Sequence, residues 1–374
     1  MDGEMDTVIG VVAHQTGRLA ALGAPLRFAA EAYRLGAGTD RFPVSIRDSA
    51  STPAGADDAV RRLVEEDGAA LVVTLGGTHT VPAVALAGRR LGVPCLSTTL
   101  PWQVYRSKAG VGGYHACWGL DDIADAFADL WARVPDADSV GCLWNSGPQG
   151  AALRARDSGF ATAAADRGLR LVDPGGYAED QADFHREVAA LRGVRIVTSA
   201  ATARDLRMFG ERAAAERLEL DLITCSRWLS YPVGAQESGV DGVATPVYWS
   251  PRHPYRSSLD GLTCAELAVD YQRGTGQAWL QPLGMAYALF EVAHRVLGVA
   301  RGSAEIAAEL DRTRLATIAG TLDWTTGPAK GVARVRLASG QWQRGDTGTA
   351  ELNVVANDRV PEVPVTAELR LAVH

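Results

Sequence analysis

Long runs of like charge are missing from this 374-residue chain, whose formal net charge is −7. Nucleic acid needs a dense cationic surface to neutralise its phosphates, so it is not expected as a partner. No apolar stretch approaches the roughly 18 residues of a membrane-spanning helix, and direct membrane insertion is not expected either. Neither G-x-G-x-x-G nor a P-loop occurs, so two nucleotide-binding halves are not supported. The five cysteines (Cys95, Cys117, Cys142, Cys225 and Cys264) are odd in number and form no C-x-x-C pair. Most lie in apolar runs such as "VPCLS" and "VGCLW". Buried thiols in a reducing compartment fit this better than a disulfide framework or a clustered metal site. The opening "MDGEMDTVIGVVAH" has no basic start, long apolar core or small-residue cleavage site, so no secretory signal is read there. A cytoplasmic location is expected if Met1 is the natural start, and a periplasmic or cell-surface one if a signal has been removed.

What is present is alternation. The chain is 47% hydrophobic and 22% charged, enough for two cores of ordinary domain size. "TVIGVVA" reads as a strand and "APLRFAAEAYRLG" as a helix. "FPVSIRDS" is a strand, "DDAVRRLVEED" a one-faced helix and "AALVVTL" a buried strand. "TVPAVALAGRRLG" is a helix with Thr80 as its expected cap and Pro82 tolerated in the first turn, and "VPCLST" follows as strand. The pattern restarts with "DDIADAFADLWARV". It continues through "SVGCLWN", a single expected helix over "GAALRARDSGFATAAADRG", "LRLVDP", "DFHREVAALRG", "VRIVTSA", "ARDLRMFGERAAAERL" and "LDLITCS". Strands that are apolar throughout and separated by helices imply parallel sheets covered on both faces. The expected fold class is therefore α/β, with two Rossmann-like doubly wound lobes. The tail beyond Gly345 is polar and Pro-punctuated, and little further core is expected there.

In open parallel sheets, ligands gather beyond the carboxyl ends of the strands. The segments there are "HQTGRLAALG", "LGGTHT", "STTLPW", "WNSGPQG", "TSAAT" and "CSRWLSY". In this order they resemble the type I periplasmic binding proteins, and more narrowly the branched-chain amino acid and amide-binding solute receptors. "IGVVAHQTGRLAALGAPLRFAAEAY" is similar to that group's first strand, Thr-Gly loop and helix. "TLDWTTGPAKGVARVRLASGQW" is similar to its closing segment. The resemblance implies two lobes joined by three crossovers, near residues 118–121, 246–251 and 326–333, with a ligand trapped by lobe closure. It divides the chain into residues 1–119 plus 250–328 and residues 120–249 plus 329–374. No cofactor is implied.

The departures from the family pattern carry most information. Gly77 stands at or beside the position where the amino-acid binders offer a hydroxyl to the ligand carboxylate. Thr78 and exposed backbone N–H groups around Gly76 and Gly77 remain available for an anion. Thr98 and Thr99 supply hydroxyls, but Pro101 falls near the family's Thr. The far-lobe acid that meets a ligand ammonium is expected near "TCSRWLS", which holds Arg227 and no acid. An Arg suits a carboxylate and repels an ammonium group. A ligand without a free amine, acidic or amide-like, with a ring or apolar body, is the expectation.

His79 is a candidate hydrogen-bonding group at a helix start, or else a solvent-facing one. Trp102, Trp144, Trp228 and Trp249 each follow a strand and offer flat walls, or else fill the interior. Trp118 and Trp131 read as structural. Arg227 and Arg18 are anion anchors or surface charges; Ser146, Ser199 and Ser226 are candidate hydrogen-bond donors. The leading expectation is a binding protein serving an ABC permease, or acting as an intracellular sensor with a regulator, and a homodimer is left open. The alternative is an enzyme on a repurposed binding fold, working by proton transfer with His79, Cys225 and Arg227. It lacks a recognisable acid–base or nucleophile pair.

Overall fold

A computed structural model describes residues 7–36, 41–107, 111–227, 241–345 and 348–372. The chain forms two compact units. One comprises the chain up to Trp118 together with Trp249–Val335; the other comprises Gly119–Tyr248 and the chain from Arg336 onward.

In the first unit, strands β1 (Val8–Ala13), β2 (Val44–Asp48), β3 (Ala69–Leu75), β4 (Cys95–Thr98) and β5 (Tyr114–Cys117) alternate with helices. In the second unit follow β6 (Ser139–Leu143), β7 (Arg170–Val172), β8 (Ile196–Ser199), β9 (Leu222–Cys225) and β10 (Ala244–Val247). Back in the first unit, a hairpin of β11 (Arg314–Thr317) and β12 (Gly320–Asp323) precedes β13 (Val332–Arg334). The second unit is completed by β14 (Ala338–Arg344) and β15 (Ala350–Ala356).

The first sheet has the order β13-β5-β4-β3-β1-β2, and every pairing in it is parallel. Apolar β-branched runs such as that of β3 are buried almost end to end, as a sheet covered on both faces requires. Helix Pro53–Glu65 starts with proline in its first turn, and Thr52 accepts the Gly55 N–H at 3.0 Å. Helix Thr80–Leu91 stops on Gly92 in the left-handed conformation, φ 71°. Helix Pro282–Leu297 is buried nearly all round.

The second sheet has the order β15-β14-β10-β9-β8-β6-β7, parallel from β10 to β7 and antiparallel from β10 through β15. Two expectations are corrected here. The single helix over "GAALRARDSGFATAAADRG" is instead Pro148–Arg154, a 3-10 turn Arg156–Ser158 and Phe160–Ala165. Ala155 is extended and Gly159 left-handed, and the Ser158 hydroxyl donates to the Leu153 carbonyl at 2.7 Å, so the helical ladder is interrupted twice. The tail, expected to add little core, contributes β15 and buries Val354, Val360 and Val363. Its later residues run over the sheet, where the Gln341 and Gln343 amides donate to the Arg370 and Glu368 carbonyls at 2.8 Å each.

Candidate functional site

The carboxyl ends of β1, β2 and β3 run into the starts of three helices, Ala20–Leu35, Pro53–Glu65 and Thr80–Leu91. Between those starts lies a cavity of about 220 Å³, walled by Arg18, Leu19, Ser51, Thr52, Pro53, Gly77, His79 and Thr80. Each helix start carries partial positive charge from unpaired N–H groups. Arg18 is exposed and makes no ion pair among the described residues, so its charge adds to theirs. The wall therefore suits an anionic group.

Behind the wall sits His14, 1% exposed at the end of β1. Its Nδ1 lies 2.6 Å from Ser49 Oγ and its Nε2 3.3 Å from Thr80 Oγ1. Burial lowers its pKa below the ordinary imidazole value; Asp48 opposes this and Arg18 adds to it. The Asp48 carboxylate accepts N–H bonds from Gln15 (2.9 Å) and Ala50 (2.8 Å), and the Thr16 hydroxyl at 2.6 Å. Burial alone would raise its pKa, but these hydrogen bonds hold it below the usual range. Ala50 and Ser51 both adopt left-handed backbone, φ 47° and 57°. That conformation is unfavourable for residues with a Cβ, so strain is concentrated at the cavity rim.

The expected site residues of this unit are distributed unevenly. Gly77 and His79 line the cavity, as does Arg18. His79 is exposed and precedes the helix without a side-chain cap bond; Thr80, the expected cap, is the first helical residue and accepts the Gly77 N–H at 3.2 Å. Thr78 is half-buried beside the cavity. Gly76 is packed under the His14 ring: a Cβ there would lie 2.1 Å from Nε2. The Thr98 hydroxyl is fully buried and donates to the Ala116 carbonyl at 2.6 Å. Thr99, at φ 74°, reaches the Gly76 carbonyl at 3.2 Å. Trp102 opens a short helix and is half-buried. Trp249 is fully buried and donates to the Ile318 carbonyl at 3.1 Å.

In the second unit, Asn145 follows β6 and organises the next helix. Its Oδ1 accepts the N–H groups of Gly147 and Gly150 at 3.1 and 2.9 Å, and its Nδ2 donates to Glu179 at 2.7 Å. The same Glu179 oxygen accepts Arg227 Nη1 at 2.6 Å. Arg227 is therefore paired with an acid from a distant segment. Trp144 is buried edge-on to Phe160, and the Arg154 guanidinium lies 5.6 Å from its ring centre. Ser199 is buried, donating to the Leu143 carbonyl (3.2 Å) and accepting the Ala201 N–H (2.9 Å). Ser146 donates to the Tyr177 carbonyl at 3.1 Å, and Ser226 is half-buried beside Arg227. Cys225 is fully buried, its thiol 3.6 Å from the Ala201 carbonyl, a setting that suppresses reactivity. Trp228 lies outside the described residues. No cluster of three or more potential metal-ligating side chains occurs among the described residues.

Sequence reasoning missed His14, Ser51, Asn145 and Glu179. His14 and Asn145 follow buried apolar strands, where a polar residue ending the run was the available signal; Ser51 follows the half-buried β2 and had none. Glu179 had none.

Residues 7–347 match a family model described as "Periplasmic binding protein". Among solved structures, the chain is similar to an ABC transporter substrate-binding protein from Sphaerobacter thermophilus, with 17% identity, TM-score 0.75, and 96% and 98% of the two chains covered. A solute-binding protein from R. palustris, solved with 4-hydroxybenzoate, gives 13%, 0.73, and 98% and 97%. A branched-chain amino acid transporter substrate-binding protein from Streptococcus pneumoniae, solved with isoleucine, gives 16%, 0.69, and 94% and 99%. No curated protein sequence is significantly similar to this chain. The match of the family model over nearly the whole length, on a fold of two parallel-sheet units, makes the chain a member of the periplasmic binding protein family.

Proposed function

We propose that the chain is a solute-binding protein that delivers a small carboxylate or other compact anion, with a ring or apolar body, to an ABC permease. The observation that carries this reading is the first unit's cavity, where three helix starts and Arg18, which makes no ion pair among the described residues, surround one space. The solved relatives divide between an aromatic acid and an amino acid as the bound molecule. The pairing of Glu179 with Arg227 favours the first class, because the acid that could meet an ammonium group is already satisfied. The Thr78 and Gly77 segment supplies further donors, and Trp102 an aromatic surface.

A thermal-shift panel tests this. It compares 4-hydroxybenzoate, 3,4-dihydroxybenzoate, isoleucine, and the des-amino acid and amide of isoleucine. A ligand at about a hundred times its dissociation constant stabilises by about 2.7 kcal/mol. The expected pattern is a shift with the acids lacking an amine and none with isoleucine. Arg18→Ala should weaken the acids about tenfold, the scale of one lost charge-assisted bond. A response to isoleucine alone would sink the anion reading.

A further inference from the structure

The ring of His14 does not line the cavity, yet it touches what holds the cavity's shape. Its Nδ1 meets Ser49 Oγ at 2.6 Å, and Ser49 closes the turn leading to Ser51 and Thr52. Its Nε2 meets Thr80 Oγ1 at 3.3 Å, and Thr80 in turn accepts the Gly77 N–H at 3.2 Å. The His14 backbone closes the third side: a Cβ on Gly23, in the first turn of helix Ala20–Leu35, would lie 2.1 Å from the His14 carbonyl oxygen. One residue thus touches segments from all three helix starts. A neutral imidazole suits this role because it offers one donor and one acceptor at a fixed separation. The Ser49 hydroxyl also points to the Ala13 carbonyl at 3.3 Å, so it can accept from Nδ1–H while Nε2 accepts from Thr80.

We infer that His14 is a positioning residue of the ligand site, a buried strut whose two ring nitrogens set the spacing between the Ser51–Thr52 rim and the Gly77–Thr80 rim. This rests on the cavity being where the ligand anion is held. Gly76 is part of the same device, since the ring occupies the space its Cβ would take. The rim residues touch the ligand, and His14 acts through them.

The test uses the full chain and three variants, His14→Ala, His14→Asn and His14→Gln. An Asn amide reaches the Ser49 side and a Gln amide the Thr80 side, so each restores one arm. Two quantities are read: affinity for 4-hydroxybenzoate, and hydrogen exchange at the amides of Ser51 and Gly77. His14→Ala should weaken binding about tenfold and speed exchange at both amides. His14→Asn should protect Ser51 alone, and His14→Gln should protect Gly77 alone, each recovering part of the affinity. A purely packing role predicts that both amides respond alike in the two conservative variants; that result, or wild-type affinity in all three, overturns the inference. If the wild-type chain binds no acid, the reading of the cavity fails. The exchange pattern then still judges the strut, upheld by the split response and overturned by its absence.

Discussion

One carboxylate oxygen of Glu179 accepts both the Arg227 guanidinium at 2.6 Å and the Asn145 amide at 2.7 Å. A single acid therefore ties together the segments that follow β6, β7 and β9. Both members of the ion pair remain partly exposed, with side chains 40% and 30% accessible. Solvent screens such a pair, and its contribution to stability is small, about 0–1 kcal/mol. Under the proposed function its role is charge recognition.

A double-mutant cycle separates those two roles. Glu179→Gln and Arg227→Met should show a coupling energy of less than about 1 kcal/mol in urea unfolding. Arg227→Met alone should introduce a thermal response to isoleucine that the wild type lacks, because Glu179 loses its internal cation. A large stability coupling with no change in ligand response would make the pair structural.

Gly76→Ala pushes a methyl group into the His14 ring and to 2.9 Å from Thr80 Oγ1. Overpacking of this kind costs about 1–3 kcal/mol. The urea midpoint should fall accordingly, and His14→Ala in the same chain should relieve much of the loss. Additive effects of the two changes would show that they do not share the space.

Glu291 predicts a pH dependence of stability. It is fully buried and accepts the Ser258 N–H, the Ser258 hydroxyl and the Ile318 N–H at 2.5, 2.9 and 2.9 Å. Burial pushes its pKa up to about 7 from the ordinary 4.5, with the hydrogen bonds opposing. Between these values the folded chain keeps a proton that the unfolded chain releases. This contribution to stability is present in full below pH 4.5 and is lost as pH rises through 7. The difference amounts to roughly 3 kcal/mol at most. Urea unfolding from pH 5 to 8 should show the decline, and Glu291→Gln should flatten it. An unchanged slope in the variant would assign the dependence to other groups.

Removing residues 357–374 should destabilise the second unit. The deletion exposes the surface that Val360 and Val363 cover, and takes one of two acceptors from each of the Gln341 and Gln343 amides, which keep the Gly242 carbonyl and Gln341 Oε1 respectively. Each hydrogen bond lost costs about 0.5–1.5 kcal/mol, in addition to the apolar surface uncovered. A melting temperature equal to that of the full chain would contradict the role given to the tail.

Strands β1 to β4 and β6 to β9 and most helices between them were legible because each apolar run is local and its period is visible in a few residues, whereas β5, β13 and β14 had no strand reading. The break at Ala155–Gly159 was not, since alanine-rich sequence favours helix and the interruption depends on an extended Ala155 and a left-handed Gly159. The tail strand was missed because β15 gains its burial from β14, not from its own composition. For the candidate site, the glycine and hydroxyl content of the loops was informative, but the direction of each hydroxyl was not. Thr98 and Ser199 turn to the carbonyls of Ala116 and Leu143, partners 18 and 56 residues away. Glu179 reaches Arg227 across 48 residues, a relation that no local pattern encodes.

The burial of the tryptophans has an optical consequence. Trp118, Trp131, Trp144, Trp249, Trp324 and Trp342 are all shielded from water, so the emission of these six is expected to be blue-shifted and insensitive to external quenchers. Trp102, after β4, is half-buried, as is Trp279, and the enclosed indole N–H of Trp102 has no acceptor among the described residues. A ligand packing on the accessible part of the Trp102 ring would change its emission against six shielded indoles. The chain thus carries its own reporter, and substituting Trp102 by Phe should silence it without altering the rest of the spectrum.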